Sequence, residues 1–144
     1  MSMKTDIYYG YGIITSKIKI KDVERLKELI HRLPCYEEDV EAYFKAENIP
    51  EPTIEDYLSY MEDDNGLAGL LETLVYKEEG ISLYACIDNN GEYYLLYPEA
   101  YPWDLVELDL SLNEEKLKAI FQKYVALLTD EPIEIDYQRC ECYG

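Results

Sequence analysis

The sequence predicts an α+β fold, with a mostly antiparallel sheet of about four strands and helices packed on one face. Three observations lead to this prediction. The chain has 144 residues, of which 48% are hydrophobic, enough for one core of ordinary size. Apolar residues alternate near both ends of the chain and recur with helical spacing between them. A strong hairpin signal lies in the second half. Because no composition shift separates two cores, residues 1–144 are expected to form a single domain.

One strand followed by four helices is expected in the first half of the chain. The strand, Asp6–Thr15, alternates β-forming residues with Gly10 and Gly12, and glycine inside a strand indicates close packing on its backbone. A crossing helix or an aromatic ring from a neighbouring strand would account for that packing. Asp22 is the expected N-cap of the first helix, and Thr53 opens the third with a capping box. The expected helices cover residues 23–33, ended by Pro34, then 37–47, 54–61 and 67–75.

The second half of the chain returns to strands. The turn Asp88-Asn89-Asn90-Gly91 separates two alternating segments and predicts a β-hairpin. Ser111 and Glu114 resemble a capping box at the start of a helix. The expected elements are strands at 81–87 and 92–97, a short strand at 105–110, a helix from Ser111 to Leu128, and a last strand from Ile133 towards Cys142.

Negative charge dominates the composition and is concentrated in one region. The chain has 31 Asp and Glu residues against 13 Lys and Arg, for a net charge of −18. Residues 37–115 hold 22 of the acids against two lysines. The densest part, residues 37–64, here called the acidic segment, holds 11 of these acids and only one basic residue, Lys45. A chain with this charge is not expected to bind nucleic acid directly, nor an anionic membrane surface. Since no targeting or membrane-spanning stretch is evident, a cytoplasmic location is expected.

Metal, cofactor and catalytic motifs find little support in the sequence. With a single histidine and no complete Cys-x-x-Cys pattern, no metal site or cofactor is expected, and the four cysteines are expected to be reduced. Calcium loops aligned on Gly66 or Gly91 both lack the first ligand. The order Asp109, Glu114, Lys116 leaves a small metal-dependent hydrolase as an alternative, but the chain is not expected to be an enzyme.

Sixteen tyrosines beside so many carboxylates form a composition suited to protein recognition. The loop from Tyr97 to Asp104 contains Tyr101 and Trp103 and could serve either as a contact anchor or as a plug at one edge of the sheet. In size, charge and composition, and in the short segment Tyr8–Ile13, the chain resembles small acidic anti-defence proteins of phages and mobile elements, such as anti-CRISPR proteins. The resemblance implies inhibition of a nucleic-acid-binding defence enzyme by DNA mimicry. It carries over no functional residue.

The leading interpretation is a non-enzymatic inhibitor whose acidic, tyrosine-rich middle segment, residues 37–115, occupies a basic, nucleic-acid-binding surface of a partner protein. Carboxylates on successive helical turns approximate a row of phosphates and would compete for the same Lys and Arg side chains. An immunity or antitoxin-like protein that neutralises a basic toxin is a second hypothesis, and acidity that serves only solubility is a third. The expected partner-binding residues are Glu37, Glu38, Glu41, Glu55, Glu62, Asp63, Tyr101 and Trp103.

Overall fold

A computed structural model of the chain describes residues 5–98 and 114–143. Strands and α-helices follow one another in the order β1, four helices, a β-hairpin, one helix and a last strand. The short strand expected at 105–110 and the expected cap Ser111 lie outside the described residues. The elements are β1 (Thr5–Ile14), α1 (Val23–His31), α2 (Pro34–Ala46), α3 (Ile54–Met61), α4 (Gly66–Glu79), β2 (Tyr84–Ile87), β3 (Tyr93–Pro98), α5 (Glu114–Val125) and β4 (Asp136–Tyr143), with 3₁₀ turns at Thr15–Lys17 and Glu62–Asp64.

The four strands form one antiparallel sheet in the order β2-β3-β1-β4, which confirms the predicted fold class. β1 is an inner strand, paired with β4 and β3; Tyr8 lies opposite Cys140, and Gly12 opposite Leu96. The sheet is curled enough for the hairpin turn to reach β4, where the Asn89 N–H donates a 3.0 Å hydrogen bond to the carbonyl of Glu141. That bond joins the hairpin turn to β4, although the two are not neighbours in strand order.

The glycines of β1 are required by the backbone of β3, not by the helix or ring that the sequence led us to expect. A Cβ atom on Gly10 would lie 2.5 Å from the carbonyl oxygen of Tyr97. A Cβ atom on Gly12 would lie 3.0 Å from the Cα of Leu96. Both distances are shorter than ordinary van der Waals contact. The close approach therefore belongs to the curled sheet itself.

The helices pack on one face of the sheet, as predicted. Tyr11, Ile13 and Leu95 of the sheet join the main core, which the helices complete with residues such as Leu71 and Phe121. The opposite face of the sheet carries a smaller cluster made from strand residues. Its buried members are Cys86, Tyr94, Leu96 and Cys140. None of the helices within the described ranges is both long and apolar enough to cross a membrane.

Several predicted boundaries were wrong by three or four residues, including the starts of α2 and β2 and the ends of α4 and α5, and two further ones have a clear physical reason. The first helix ends at His31, not at residue 33, and Pro34 begins α2 because proline at the first helical position loses no hydrogen bond. The last strand begins at Asp136, three residues later than expected. Ile133 and Ile135 are half-buried and pack against the core from the segment before the strand. Their alternation therefore reflects one-sided burial of an extended segment.

Candidate functional site

The acidic segment folds as α2, α3 and the 3₁₀ turn that follows α3. Pro34 starts α2 without a side-chain cap, whereas α3 starts with the predicted capping box. The Thr53 N–H donates to Asp56 Oδ2 at 2.8 Å, and the Asp56 N–H donates to Thr53 Oγ1 at 3.2 Å. These local bonds satisfy two of the backbone groups that a helix leaves free at its start.

Among the residues that the structure describes, most carboxylates of the acidic segment have no counter-ion. Glu37 contacts His31, with 2.9 Å between His31 Nδ1 and Glu37 Oε2, and Asp56 is used in the capping box. By contrast, Asp130 near the end of the chain is paired with both Lys21 and Arg25. Within residues 5–98 and 114–143, the other carboxylates of the segment make no ion pair and no side-chain hydrogen bond, and all are exposed. They are Glu38, Asp39, Glu41, Glu47, Glu51, Glu55, Glu62, Asp63 and Asp64.

A groove of about 540 Å³, here called the α2 groove, lies between α1, α2 and the residues that lead into α3. Its floor is apolar, because buried side chains of the core reach it: Ile30, Val40, Phe44 and Tyr57. Charged side chains line the same groove. They are Glu37 and Glu41 together with Lys27 and Lys45.

Tyr57 is the buried polar residue of this groove. Only 6% of it is exposed, and its ring packs edge-on against Phe44 with 5.1 Å between ring centroids. Its hydroxyl makes no hydrogen bond to the part of the chain that the structure describes, where no fully buried polar side-chain atom lacks a partner. The hydroxyl oxygen is therefore not fully buried, and Tyr57 is one of the residues that line the groove. Burial raises the pKa of Tyr57, and the nearby carboxylates of Glu24, Glu41 and Glu37 raise it further.

The other flank of α2 carries a cluster of tyrosines. Tyr60 of α3 lies between Tyr36 and Tyr43 of α2, with ring centroids 6.0 Å and 4.8 Å away. Burial raises the pKa of Tyr36, helped by Tyr60 and Asp64, and burial raises the pKa of Tyr60, helped by Asp39 and Asp64. Since 42% of Tyr43 is exposed, this flank offers aromatic area beside carboxylates.

The structure brings some of the predicted partner-binding residues together and separates others. Glu37 and Glu41 share the α2 groove, while Glu38 and Glu55 are exposed on α2 and α3. Glu62 lines a second depression, near Leu58 and Tyr93, and Asp63 lines a third, near Tyr36 and Leu33. Tyr101 and Trp103 lie outside the described residues. No sequence pattern indicated a functional role for Tyr57 or the presence of the groove, because the groove exists only once α1 packs against α2.

The residues considered for metal binding have structural roles or lie apart. Asp88 is used by the hairpin turn, where its Oδ1 accepts from the N–H groups of Asn90 and Glu92 and its Oδ2 accepts from the Tyr94 hydroxyl. Glu114 is exposed in the first turn of α5, and Asp109 is not among the described residues. Over the described ranges, no group of three or more His, Cys, Asp or Glu side chains is placed to hold a metal ion.

The fold and this surface define an α+β protein with a dense, exposed acidic surface on two helices and the turn after them. No protein-family model matches the chain, and neither the curated proteins nor the solved structures contain a significant match.

Proposed function

We propose that this chain is a non-enzymatic inhibitor whose acidic segment binds a basic, nucleic-acid-binding surface of another protein in the cytoplasm. The observation that supports the proposal is the set of exposed carboxylates on α2, α3 and the following turn that have no ion pair in the described chain. Unpaired like charges on one surface repel each other. A cationic partner would remove that repulsion on binding.

The spacing of these carboxylates suits a surface that normally holds phosphates. Glu38 and Glu41 stand three positions apart on α2, with about 5–6 Å between their Cβ atoms. Duplex DNA presents one negative charge per about 1.7 Å of its axis, so a groove lined by Lys and Arg meets a comparable density of anionic oxygens. Carboxylates also accept the hydrogen bonds that Lys and Arg donate to phosphate.

The tyrosine cluster on α2 and α3 would supply the contact area that charge alone does not. Exposed ion pairs are worth only about 0.2–1 kcal/mol each, so charges chiefly steer and orient the partner. Aromatic side chains dominate the energy of many protein interfaces. Tyr36, Tyr43 and Tyr60 lie on the same helices as the carboxylates, which would let one partner contact both.

Two charge-matched variants test the proposal. The segment variant carries Glu38→Gln, Glu55→Gln, Glu62→Gln and Asp63→Asn, all at exposed positions. The control variant carries Glu114→Gln, Glu115→Gln, Glu131→Gln and Glu134→Gln, which are also exposed and lie outside the acidic segment. Both variants lose four negative charges, so a difference between them reports the position of the charge and not its total.

Each protein is immobilised and used to capture proteins from a cytoplasmic host extract, with and without a competing 20-base-pair DNA duplex. We expect the wild-type chain and the control variant to retain the same nucleic-acid-binding protein, the segment variant to lose it, and the duplex to release it. Equal capture by all three proteins would overturn the proposal, as would a captured protein that the duplex does not displace.

A further inference from the structure

The α2 groove has features that imitation of DNA by the acidic segment does not explain. Its volume of about 540 Å³ falls within the range of roughly 300–1,000 Å³ that is usual for ligand sites. Its floor is formed by buried apolar side chains, among them Val40 and Phe44. An apolar floor inside a strongly acidic surface favours an occupant with an apolar part as well as a positive charge.

Polar groups converge at one part of this groove. Tyr57 as a residue is more than nine-tenths buried and lines the groove, and its hydroxyl, which has no hydrogen-bond partner in the described chain, is the part of it that stays accessible. An accessible hydroxyl with no partner in the described chain is free to donate a hydrogen bond to a ligand in the groove or to accept one from it. The carboxylates of Glu37 and Glu41 line the same groove, and both act on Tyr57 electrostatically.

Two lysines limit how much positive charge the occupant carries. Lys45 lines the groove on the same helix as Glu41 and is exposed. Lys27 also lines it and lies 3.6 Å from Glu24. A second positive charge on the occupant would be repelled by these ammonium groups.

We propose that the α2 groove binds one arginine side chain of a partner protein together with an adjacent apolar side chain. This inference rests on the proposed function and deepens it, because it names the partner feature that the acidic surface anchors. The guanidinium would donate hydrogen bonds to the Tyr57 hydroxyl and to the carboxylates of Glu37 and Glu41. Its methylene stem and the neighbouring apolar residue would lie on Val40 and Phe44. Arginine fits this role because its planar donors can bridge carboxylate and hydroxyl oxygens.

The test is an NMR titration of the full chain with three capped hexapeptides. The first has the sequence Gly-Ser-Arg-Leu-Ser-Gly, the second replaces its arginine by glutamine, and the third replaces its leucine by serine. We expect the first peptide to shift the amide resonances of residues that line the groove. We expect each of the other two to bind at least about tenfold more weakly.

Tyr57→Phe tests whether the Tyr57 hydroxyl contributes to peptide binding without changing the stability of the fold. This substitution keeps the ring against Phe44 and removes only a hydroxyl that has no hydrogen bond in the described chain. We therefore expect weaker binding of the first peptide, by about three- to tenfold, with no fall in the unfolding midpoint. The matched control is Tyr94→Phe, which removes the 3.0 Å bond to Asp88. It should lower the unfolding midpoint and leave peptide affinity unchanged.

Failure of this inference is distinguishable from failure of the proposed function. Unchanged affinity in Tyr57→Phe, or shifts confined to residues away from the groove, would overturn the groove assignment. The segment variant leaves Glu37 and Glu41 intact, so its loss of partner capture would still support the proposed function in that case. Conversely, if the segment variant captured the partner as well as the wild-type chain, the proposed function would be overturned regardless of how the peptides bind.

Discussion

Replacing Gly10 by alanine should destabilise the sheet by forcing β1 away from β3. The added Cβ atom would lie 2.5 Å from the Tyr97 carbonyl oxygen and 2.9 Å from the Leu96 Cβ. Ordinary contact begins near 3.4 Å, so the strands must separate by about 1 Å at this point, which is a large shift in a close-packed interior. Because the nearest obstacle is backbone, no side-chain rotation relieves the contact.

The cost has two parts that can be estimated. Forcing an extra carbon into a well-packed site costs about 1–3 kcal/mol. Each β1–β3 hydrogen bond that stretches loses up to about 1 kcal/mol of net stabilisation. We therefore expect Gly10→Ala to lower the free energy of unfolding by about 2–4 kcal/mol. Urea unfolding followed by far-ultraviolet circular dichroism measures this loss as a lower midpoint at an unchanged slope.

Gly80→Ala is the matched control for this prediction. Gly80 ends α4 with φ +70°, and a Cβ atom placed there meets nothing within 4 Å. Its substitution should cost only the strain of the left-handed backbone, about 1–2 kcal/mol. If Gly10→Ala proved as stable as Gly80→Ala, the close approach of β1 and β3 would not be the constraint inferred here.

Three further predictions concern buried tyrosines and ion pairs. Tyr124→Phe should lower the free energy of unfolding by about 1–3 kcal/mol, because the Tyr124 hydroxyl donates to Glu78 and Glu79 at 2.9 Å and 3.1 Å. Urea unfolding measures this loss, and an unchanged free energy of unfolding would contradict the prediction. Burial and carboxylate neighbours raise the pKa of Tyr94 and Tyr124. Above about pH 10 these tyrosines stay protonated in the native state and lose their protons in the unfolded state. The urea concentration at the unfolding midpoint should therefore be constant up to about pH 10 and fall above it. A midpoint that does not change above about pH 10 would contradict this. The hydrogen bond from Lys123 lowers the pKa of Glu79, so this pair stabilises the fold above about pH 4.3 and ceases to do so as the pH falls through the native pKa. Lys123→Met should reduce the loss of unfolding free energy between neutral and acidic pH. The same loss in the variant and the wild-type chain would refute the role given to the Lys123–Glu79 pair.

Local patterns predicted the features that local interactions determine. The Asp22 cap, the Thr53–Asp56 capping box and the Asp88 turn all appear with the expected hydrogen bonds. Each depends on residues within a few positions of one another. The helical spacing in α4 likewise predicted which of its side chains face the core, since burial repeats with the geometry of the helix.

Features made by distant segments could not be predicted in the same way. The hydrogen bond between Asn89 and Glu141, which is possible only in a curled sheet, joins residues far apart in the chain. The alternation of Ile133 and Ile135 reflects their one-sided burial, but it wrongly placed them in the last strand, which begins at Asp136. The density of acids in residues 37–64 was visible in the sequence. The absence of ion pairs for most of them in the described chain, and the groove around Tyr57, depend on tertiary packing.

The most direct test of the account is the dissociation constant of the captured partner for the wild-type chain, the segment variant and the control variant. It should be measured at 0.1 M salt and at 1 M salt, where the screening length falls from about 10 Å to about 3 Å. Loss of four interfacial ion pairs predicts binding weaker by about 1–4 kcal/mol, roughly fivefold to a thousandfold, for the segment variant alone. That difference should shrink at 1 M salt. Equal affinities for the two variants at 0.1 M salt would contradict the claim that the acidic segment is the binding surface.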